Sequence, residues 1–296
     1  MTATIDREVV AKRLLGGAIK RSYQPEVDID WDAPIDPEKY FLPPPVVSLY
    51  GTPLWEEMSE EQRIELSRQE MANVLSVGIW FENVLNRALL NELTREDPRS
   101  AHTHYTLTEM GDECRHMTMF GKVIDRVGAR PYGLRMRERL AIQLLPFALR
   151  GSLLWVAALV GEEIFDALQR RMMDDPKLQP LVSQLMRIHV TEEARHIKFA
   201  REGVVRRMET AGWFERMLTG NLVGLGGPVF RYAFSNPAVY RRAGLDVERA
   251  SREAAENPHL REAQVMGFAP LAQFLRENGL LGPVGRWLWR RAGFLP

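Results

Sequence analysis

One arrangement of glutamate and histidine occurs twice in the chain, and the two copies are separated by eighty residues. Each copy has a lone glutamate and, thirty-one positions later, the first residue of a Glu-x-x-His motif. The residues are Glu82, Glu113 and His116 in the first copy, and Glu162, Glu193 and His196 in the second. Because residues three apart lie on one face of a helix, each motif can present a carboxylate and an imidazole to the same point.

The repeated residues have the composition of a dinuclear metal site in a helical bundle. Two Glu-x-x-His helices, with one glutamate from each of two other helices, form the inward-facing ligands of four-helix di-iron and di-manganese carboxylate proteins. Carboxylate oxygens with a minority of imidazoles suit iron or manganese, whereas structural zinc favours cysteine and histidine. We therefore predict an all-α protein with a ferritin-like four-helix bundle that binds two iron ions, with manganese as the alternative metal.

The positions of turn signals predict the four helices of the bundle. Ser59-Glu60-Glu61-Gln62 resembles a capping box, which begins the first helix. The predicted helices run from there to about Leu93, from about Ser100 to Val127, from about Leu134 to Met173 with a kink near Pro146, and from about Pro176 to Thr210. No segment alternates with a period of two for long, so we expect almost no β-sheet.

The rest of the chain is expected to pack around this bundle as parts of one structural domain. Residues 1–55 are predicted to form an N-terminal helix and an extended proline-rich arm, residues 56–210 the bundle, and residues 211–296 additional C-terminal helices. The arm is predicted from seven prolines in residues 24–54. Asn236-Pro237 and Asn257-Pro258 predict turns followed by short helices. The tail Arg286–Arg291 is expected to be a helix packed on the bundle, with its arginines reaching solvent, and contact with lipid or a partner is the alternative.

Composition and charge narrow the class of protein and its surroundings. The chain has 39 basic and 39 acidic side chains, a balance that indicates neither nucleic acid nor an anionic membrane surface as a partner. The single cysteine, Cys114, excludes an internal disulfide and fits a reducing cytosol, so we expect a cytoplasmic protein. We expect the Cys114 side chain to pack against its neighbours.

Two segments bear on whether the chain is secreted or spans a membrane. Residues 1–23 have acidic residues before the first apolar run, which is not typical of a secretory signal. The apolar stretch 142–161 has the length of a membrane span, but Pro146 and Arg150 interrupt it and Glu162 follows directly. We therefore predict a buried core helix and no membrane span.

Three further residues bear on the number of metal ligands. His189 lies four residues before Glu193 and seven before His196, so the three share one helix face and we predict that His189 also binds a metal. The equivalent residue of the first copy is Glu109, which we expect to be exposed or to support the ligands, with direct metal contact as the alternative. Glu163 is the alternative to Glu162, but only Glu162 lies eighty residues after Glu82.

Two carboxylates and two arginines are predicted to support the ligands. Asp112 and Glu192 each precede a motif glutamate, and metal-bound histidines usually donate their other ring nitrogen to a carboxylate. We predict a crossed arrangement in which Asp112 contacts His196 and Glu192 contacts His116. Arg115 and Arg195 recur at matched positions and are predicted to hold these carboxylates, with surface ion pairs as the alternative. We predict no catalytic residue beyond the metal ligands.

The complete pattern, with its His-x-x-x-Glu-x-x-His segment, resembles the di-iron N-oxygenases typified by p-aminobenzoate N-oxygenase. The resemblance covers about residues 60–210 and places His189 where that family has a third histidine. It implies seven metal ligands, which are Glu82, Glu113, His116, Glu162, His189, Glu193 and His196. Family members bind O₂ at a reduced di-iron centre, form a peroxo species and transfer oxygen to an amine. An amine substrate and an electron-donor protein or reductase are therefore expected as partners, and we also expect a homodimer.

Two other functions are compatible with the same residues. A di-iron hydroxylase or desaturase that acts on C–H bonds would use six ligands and leave His189 unbound. A ferritin-like iron-oxidising or storage protein would load far more than two ions per chain. Storage proteins are usually shorter, so the arm and the C-terminal helices count against this last function.

Overall fold

The computed structural model describes residues 6–296, so the first five residues of the predicted N-terminal segment lie outside the described part. Within this range the protein is all-α, as predicted, and its secondary structure includes no β-strand. An isolated bridge joins Tyr40 and Leu178. The helices in chain order are α1 (Arg7–Lys20), α2 (Pro25–Asp28), α3 (Pro53–Glu57), α4 (Glu60–Leu93), α5 (Ala101–Arg126), α6 (Met136–Ala148), α7 (Ser152–Met172), α8 (Pro180–Thr210), α9 (Trp213–Leu222), α10 (Gly226–Phe234), α11 (Pro237–Arg242), α12 (Val247–Glu256), α13 (Pro258–Glu277) and α14 (Pro283–Ala292).

Helices α4, α5, α7 and α8 form the ferritin-like bundle. Helix α4 packs on α5, and α7 packs on α8, so each copy of the sequence repeat corresponds to one pair of helices. The two pairs meet where α5 lies against α8, and α4 and α7 also touch. The two Glu-x-x-His helices are therefore neighbours at the centre of the bundle.

The starts of the bundle helices follow from their capping residues. Ser59 and Gln62 form the predicted capping box of α4. Ser100 caps α5 by accepting a hydrogen bond from the backbone of Thr103, at 3.0 Å. Helix α8 begins at Pro180 rather than at Pro176, because the preceding backbone pairs with the arm: Tyr40 donates to the carbonyl of Lys177 and accepts from the backbone of Gln179, both at 2.9 Å.

The prediction of the third bundle helix is wrong in the middle of the segment. The segment forms two helices rather than one helix with a kink. Pro146 lies inside α6, and the break comes after it, between Ala148 and Ser152. Gly151 has a φ of 56°, a conformation that is easy for glycine and takes the chain out of the helix. The apolar stretch is thereby divided between two helices. No helix among residues 6–296 is long and apolar enough to cross a bilayer.

The remaining helices cover different sides of the bundle. Helix α1 packs across α5 and α8, α6 and α10 pack on α4, and α9 and α13 pack on α7. Helices α11 and α13 begin at Pro237 and Pro258, as predicted, but only α11 is short, since α13 has 20 residues. The tail forms α14, whose Trp289 is buried and stacks on Phe268 of α13 with ring centres 4.0 Å apart.

The arm is more closely packed than an extended surface segment. It contains the short helices α2 and α3 and a 3₁₀ turn at Pro44–Val46, and Tyr40, Phe41 and Leu49 are buried in an apolar core. This core fills one end of the bundle, and a second core fills the other end. The glutamates and histidines of the repeat lie between the two cores.

Candidate metal centre

All seven predicted ligands are buried in the band between the two apolar cores. Each is at most 4 % exposed to solvent. Helix α4 supplies Glu82 and α7 supplies Glu162, while α5 and α8 supply the Glu-x-x-His pairs and His189. Burying four carboxylates in one place is unfavourable unless cations or protons compensate their charge.

The seven side chains form two groups that share one glutamate. The first group contains Glu82, His116, His189 and Glu193, and the second contains Glu113, Glu162, Glu193 and His196. Within each group, one oxygen or nitrogen atom from every residue lies within 4.8 Å of the others. The first group therefore offers two imidazoles and two carboxylates to a single point, and the second group offers one imidazole and three carboxylates.

Glu113 also extends toward both groups. Its Oε2 lies 2.7 Å from Nδ1 of His116, and its Oε1 lies 2.8 Å from Nδ1 of His196. Glu193 Oε1 lies 3.3 Å from the same two nitrogens. Both motif histidines thus point Nδ1 toward the centre, and Glu113 and Glu193 lie between them.

The centre contains buried polar atoms that have no hydrogen-bond partner among the described residues. They include both carboxylate oxygens of Glu162, one oxygen each of Glu82 and Glu193 (Oε2 in both), and Nε2 of His189. Buried polar groups are nearly always partnered, and a cluster of unpartnered oxygen and nitrogen donors is explained by an ion. The donor set is mostly carboxylate with some imidazole, so it fits iron or manganese.

Electrostatics at the centre show how strongly these charges interact. Burial, with the nearby charge of Glu113, raises the pKa of Glu82 well above its usual range. Burial also raises the pKa of Glu162 in the same way, with Glu193 adding to the effect. For His116, burial acts to lower the pKa, but the charges and hydrogen bonds of Glu113, Glu192 and Glu193 together outweigh burial and raise the pKa to about 10. Protons and divalent cations would therefore compete for this centre.

The two carboxylates predicted to support the histidines lie beside them in the crossed arrangement. Glu192 Oε2 is 2.9 Å from Nε2 of His116, and Asp112 Oδ2 is 3.2 Å from Nε2 of His196. Each contact joins α5 to α8. When Nε2–H donates to a carboxylate, Nδ1 keeps its lone pair for a ligand in the centre.

Both repeated arginines contact these carboxylates. Arg115 donates to Asp112 Oδ1, and Arg195 donates to Asp112 Oδ2 at 3.3 Å. The same arginines lie 3.9 and 3.7 Å from Glu192 Oε1. The pKa of Asp112 is lowered: burial acts to raise it, but His196 and the two arginines outweigh burial. The arginines thus keep this carboxylate ionised next to the histidine.

His189 is oriented by a residue that the sequence analysis missed. Its Nδ1 lies 2.9 Å from the side-chain oxygen of Gln169, while its Nε2 has no partner. Gln169 is on α7, seven residues after Glu162 and therefore on the same helix face, which was the available signal. His189 thus presents Nε2 to the centre, whereas the motif histidines present Nδ1.

The two residues left open by the sequence have different positions. Glu163 is turned toward α8, where Arg201 donates to it from Nε at 3.0 Å, so its charge is already paired. Glu109 is 1 % exposed, which excludes the expected surface position, and it lies outside the two ligand groups. Burial raises the pKa of Glu109 to about 8, although the nearby charge of His196 acts to lower it.

Cys114 does not pack inside the protein as we had expected. It is exposed, because it lies on the side of α5 that points away from the ligands. Its sulfur accepts a long contact, 3.6 Å, from the side-chain amide of Asn86. The motif therefore needs no buried residue at this position.

A close contact between α4 and α7 lies next to the two lone glutamates. Gly161 precedes Glu162, and the ring of Phe81, which precedes Glu82, lies directly over it. A Cβ atom on residue 161 would overlap this ring. Glycine at this position thus allows α4 and α7 to bring their glutamates together.

Comparison with known proteins identifies the family to which these residues point. Residues 4–279 match the family described as p-aminobenzoate N-oxygenase AurF. The chain belongs to this family. Uncharacterised proteins of Mycobacterium bovis and Mycobacterium tuberculosis are each 31 % identical to it over 288 residues, which cover 93 % of this chain and 83 % of the relative. Membership supports a di-iron oxygenase, and the resemblance recognised in the sequence is confirmed.

Proposed function

We propose that this protein activates O₂ at a di-iron centre and transfers oxygen to the nitrogen of an amine. One iron would be held by Glu82, His116, His189 and Glu193. The other would be held by Glu113, Glu162, Glu193 and His196. The unpartnered atoms of these side chains support this assignment, because they converge on two points within a buried band.

The charges of the site support two divalent ions. Four carboxylates carry four negative charges when ionised, and two divalent cations balance them. The electrons and the Lewis acidity needed to activate O₂ come from the bound metals. Manganese in one or both positions has the same ligand preference, so the metal has to be identified by measurement.

The protein's own residues hold the ligands in position and keep water away. Asp112 and Glu192 accept the Nε2 hydrogens of the two motif histidines, and Gln169 accepts the Nδ1 hydrogen of His189. The apolar cores on either side leave the centre with almost no solvent contact. Such a dry site protects reactive oxygen from side reactions.

His189 favours N-oxygenation over the two other functions. In a six-ligand C–H hydroxylase or desaturase it would be a core histidine with both nitrogens satisfied. Here its Nε2 is buried without a partner and lies in the first ligand group. An iron-oxidising or storage protein has no need of a third histidine ligand.

The proposal includes a cellular setting and partners. The single cysteine supports a cytoplasmic protein. Each turnover needs electrons, so an electron-donor protein or reductase is part of the proposal. A homodimer and the division into an arm (1–55), a bundle (56–210) and C-terminal helices (211–296) stay predictions.

The reaction is tested by loading the protein with Fe(II) without oxygen and then adding ¹⁸O₂ and a panel of amines. We expect a hydroxylamine, nitroso or nitro product that carries ¹⁸O on nitrogen. A Glu113→Ala protein, which lacks a central ligand, serves as the control for oxidation by free iron. Products hydroxylated at carbon would favour the C–H hydroxylase, and iron uptake far above two ions per chain would favour storage.

A further inference from the structure

Helices α6, α9, α10 and α14 form one connected surface outside the bundle. At the start of α6, Glu138 accepts a hydrogen bond from Tyr232 of α10, at 2.5 Å. Beyond the end of α6, Glu215 of α9 accepts one from the backbone of Ser152, at 3.0 Å. Helix α14 packs against both α9 and α10. We call this surface the basic apolar face, and it lies over α4 and α7, away from α1.

Large apolar side chains project from every helix of the basic apolar face. On α6, Met136, Leu140 and Leu144 follow at intervals of four residues, which makes one stripe, and each is more than half exposed. Trp213 at the start of α9 is 75 % exposed, and Trp287 on α14 is 56 % exposed. Single exposed apolar residues need no explanation, but a connected patch on four helices marks an interaction surface.

The charge of this face differs from that of the whole chain. Residues 135–150, 213–234 and 283–291 contain nine arginines and two glutamates, although the chain as a whole has no net charge. Both glutamates are already paired, Glu138 with Arg135 and Glu215 with Arg207 of α8. Among the salt bridges of residues 6–296, none joins the other eight arginines to a side-chain carboxylate, although Arg139, Arg216, Arg231 and Arg290 donate to backbone carbonyls. The face is therefore strongly cationic, which the overall balance of charge conceals.

We propose that the basic apolar face docks onto an anionic phospholipid bilayer. Surface helices that combine arginine with tryptophan, phenylalanine and leucine lie in the interface between headgroups and acyl chains. Arginines near such a surface are attracted by the negative potential of the lipid headgroups. Exposed tryptophans are also favoured there, because their rings are apolar and their N–H stays close to water.

Two other occupants agree less well with these observations. In a two-fold dimer the same face would meet its own copy, so its excess of arginines over carboxylates would face the same excess. A transient electron-donor complex buries a small area, in the range below about 1,200 Å². A face with exposed Met136, Trp213 and Trp287 is more hydrophobic than such a contact requires.

The docking is tested by sedimenting the metal-loaded protein with vesicles. We expect binding to vesicles of phosphatidylcholine with phosphatidylglycerol, weakened by salt, and little binding to phosphatidylcholine alone. The variant Arg137→Glu/Arg150→Glu/Arg286→Glu should bind at least tenfold more weakly. The matched control is Lys12→Glu/Arg13→Glu/Lys20→Glu. It makes the same change of charge at exposed positions of α1, which lies outside the basic apolar face, and it should bind vesicles like the wild type.

A second variant separates insertion from simple charge attraction. Trp213→Ser/Leu144→Ser leaves every charge in place and should also weaken binding, since it removes apolar anchors from the lipid. Failure of the wild type to bind anionic vesicles at low salt would overturn the proposal. So would a wild-type dimer that the arginine variant converts to a monomer, because a second copy would then cover the face. The outcome is independent of the amine reaction, because vesicle binding requires no turnover.

Discussion

Asp112 on α5 lies 3.2 Å from Nε2 of His196 on α8, so the first copy of the repeat supports a histidine of the second. Glu192 makes the reciprocal contact with His116, at 2.9 Å. Two crossed contacts tie the Glu-x-x-His helices together at the level of the ligands. In a metal centre these two contacts would orient both imidazole rings and make their Nδ1 atoms stronger metal ligands.

Replacing Asp112 by asparagine should weaken the metal centre without unfolding the bundle. The substitution keeps the size of the side chain but removes the charge that His196 and the two arginines contact. We expect metal affinity or turnover to fall about 10- to 100-fold. Side-by-side titration of Fe(II) into the variant and the wild type measures this.

Asp125→Asn is the matched control, because Asp125 is an exposed residue of the same helix. It should behave like the wild type. If Asp112→Asn also bound iron and turned over normally, Asp112 would be an ion-pair residue worth roughly 0 to 1 kcal/mol of stability.

Gln169→Leu should weaken one metal position and spare the other. Leucine is similar in size but accepts no hydrogen bond, so His189 is free to carry its proton on Nε2 and lose its donor atom. We expect about a 10- to 100-fold loss of affinity for one of two metal ions, seen as a second, weaker step in a Mn(II) or Fe(II) titration. Gln169→Glu keeps the acceptor and should bind both ions well, and two equally strong steps in Gln169→Leu would rule out this role.

Gly161→Ala should destabilise the protein through the ring of Phe81. The added methyl overlaps that ring, and overpacking in a core costs about 1 to 3 kcal/mol. Chemical denaturation measures the change in the free energy of unfolding. The double variant Phe81→Leu/Gly161→Ala should regain part of this loss, and a stable Gly161→Ala protein would show that α4 and α7 can move apart freely.

Glu70 should make stability depend on pH. It accepts hydrogen bonds from the backbone and hydroxyl of Ser48 in the arm, and burial raises its pKa from 4.5 to about 7. At a pH between 4.5 and about 7, Glu70 has lost its proton in the unfolded chain but keeps it in the folded protein. The unfolded state therefore binds fewer protons, and the contribution of Glu70 to stability falls as pH rises from about 4.5 to about 7.

The variant Glu70→Gln isolates this effect, because its side chain does not titrate. Relative to the wild type it should gain about 1 to 3 kcal/mol of unfolding free energy between pH 4 and pH 8. Denaturation of both metal-loaded proteins at each pH measures the difference, in which the titration of other groups cancels. A constant difference across this range would mean that Glu70 titrates normally.

The bundle could be predicted from the sequence because its signals are local and periodic. Ser59 and Gln62 mark the start of α4 by a capping box, and helical spacing places Glu193, His196 and His189 on one face of α8. The equal offset of thirty-one residues in both copies assigned Glu162 rather than Glu163 as the predicted ligand, and Arg201 does pair with Glu163.

The features that the sequence did not predict depend on contacts between distant segments. Gln169 shares a helix face with Glu162, but its contact with His189 depends on how α7 packs against α8. The backbone pairing of Tyr40 with Lys177 and Gln179 delays the start of α8, and nothing near Pro176 indicates it. The break at Gly151 was obscured by Pro146, a residue that usually marks a kink but here lies within α6. Glu109 lies four residues before Glu113 and therefore on the ligand face, but the sequence left open whether it is exposed or buried.

The central claim is that seven buried side chains hold two metal ions, and counting the metal tests it most directly. Anaerobic Fe(II) titration followed by elemental analysis should give two irons per chain for the wild type. It should give fewer than two for Glu193→Ala, which removes the glutamate shared by both groups. One zinc per chain, no bound metal under any loading condition, or two irons retained in Glu193→Ala would contradict the account.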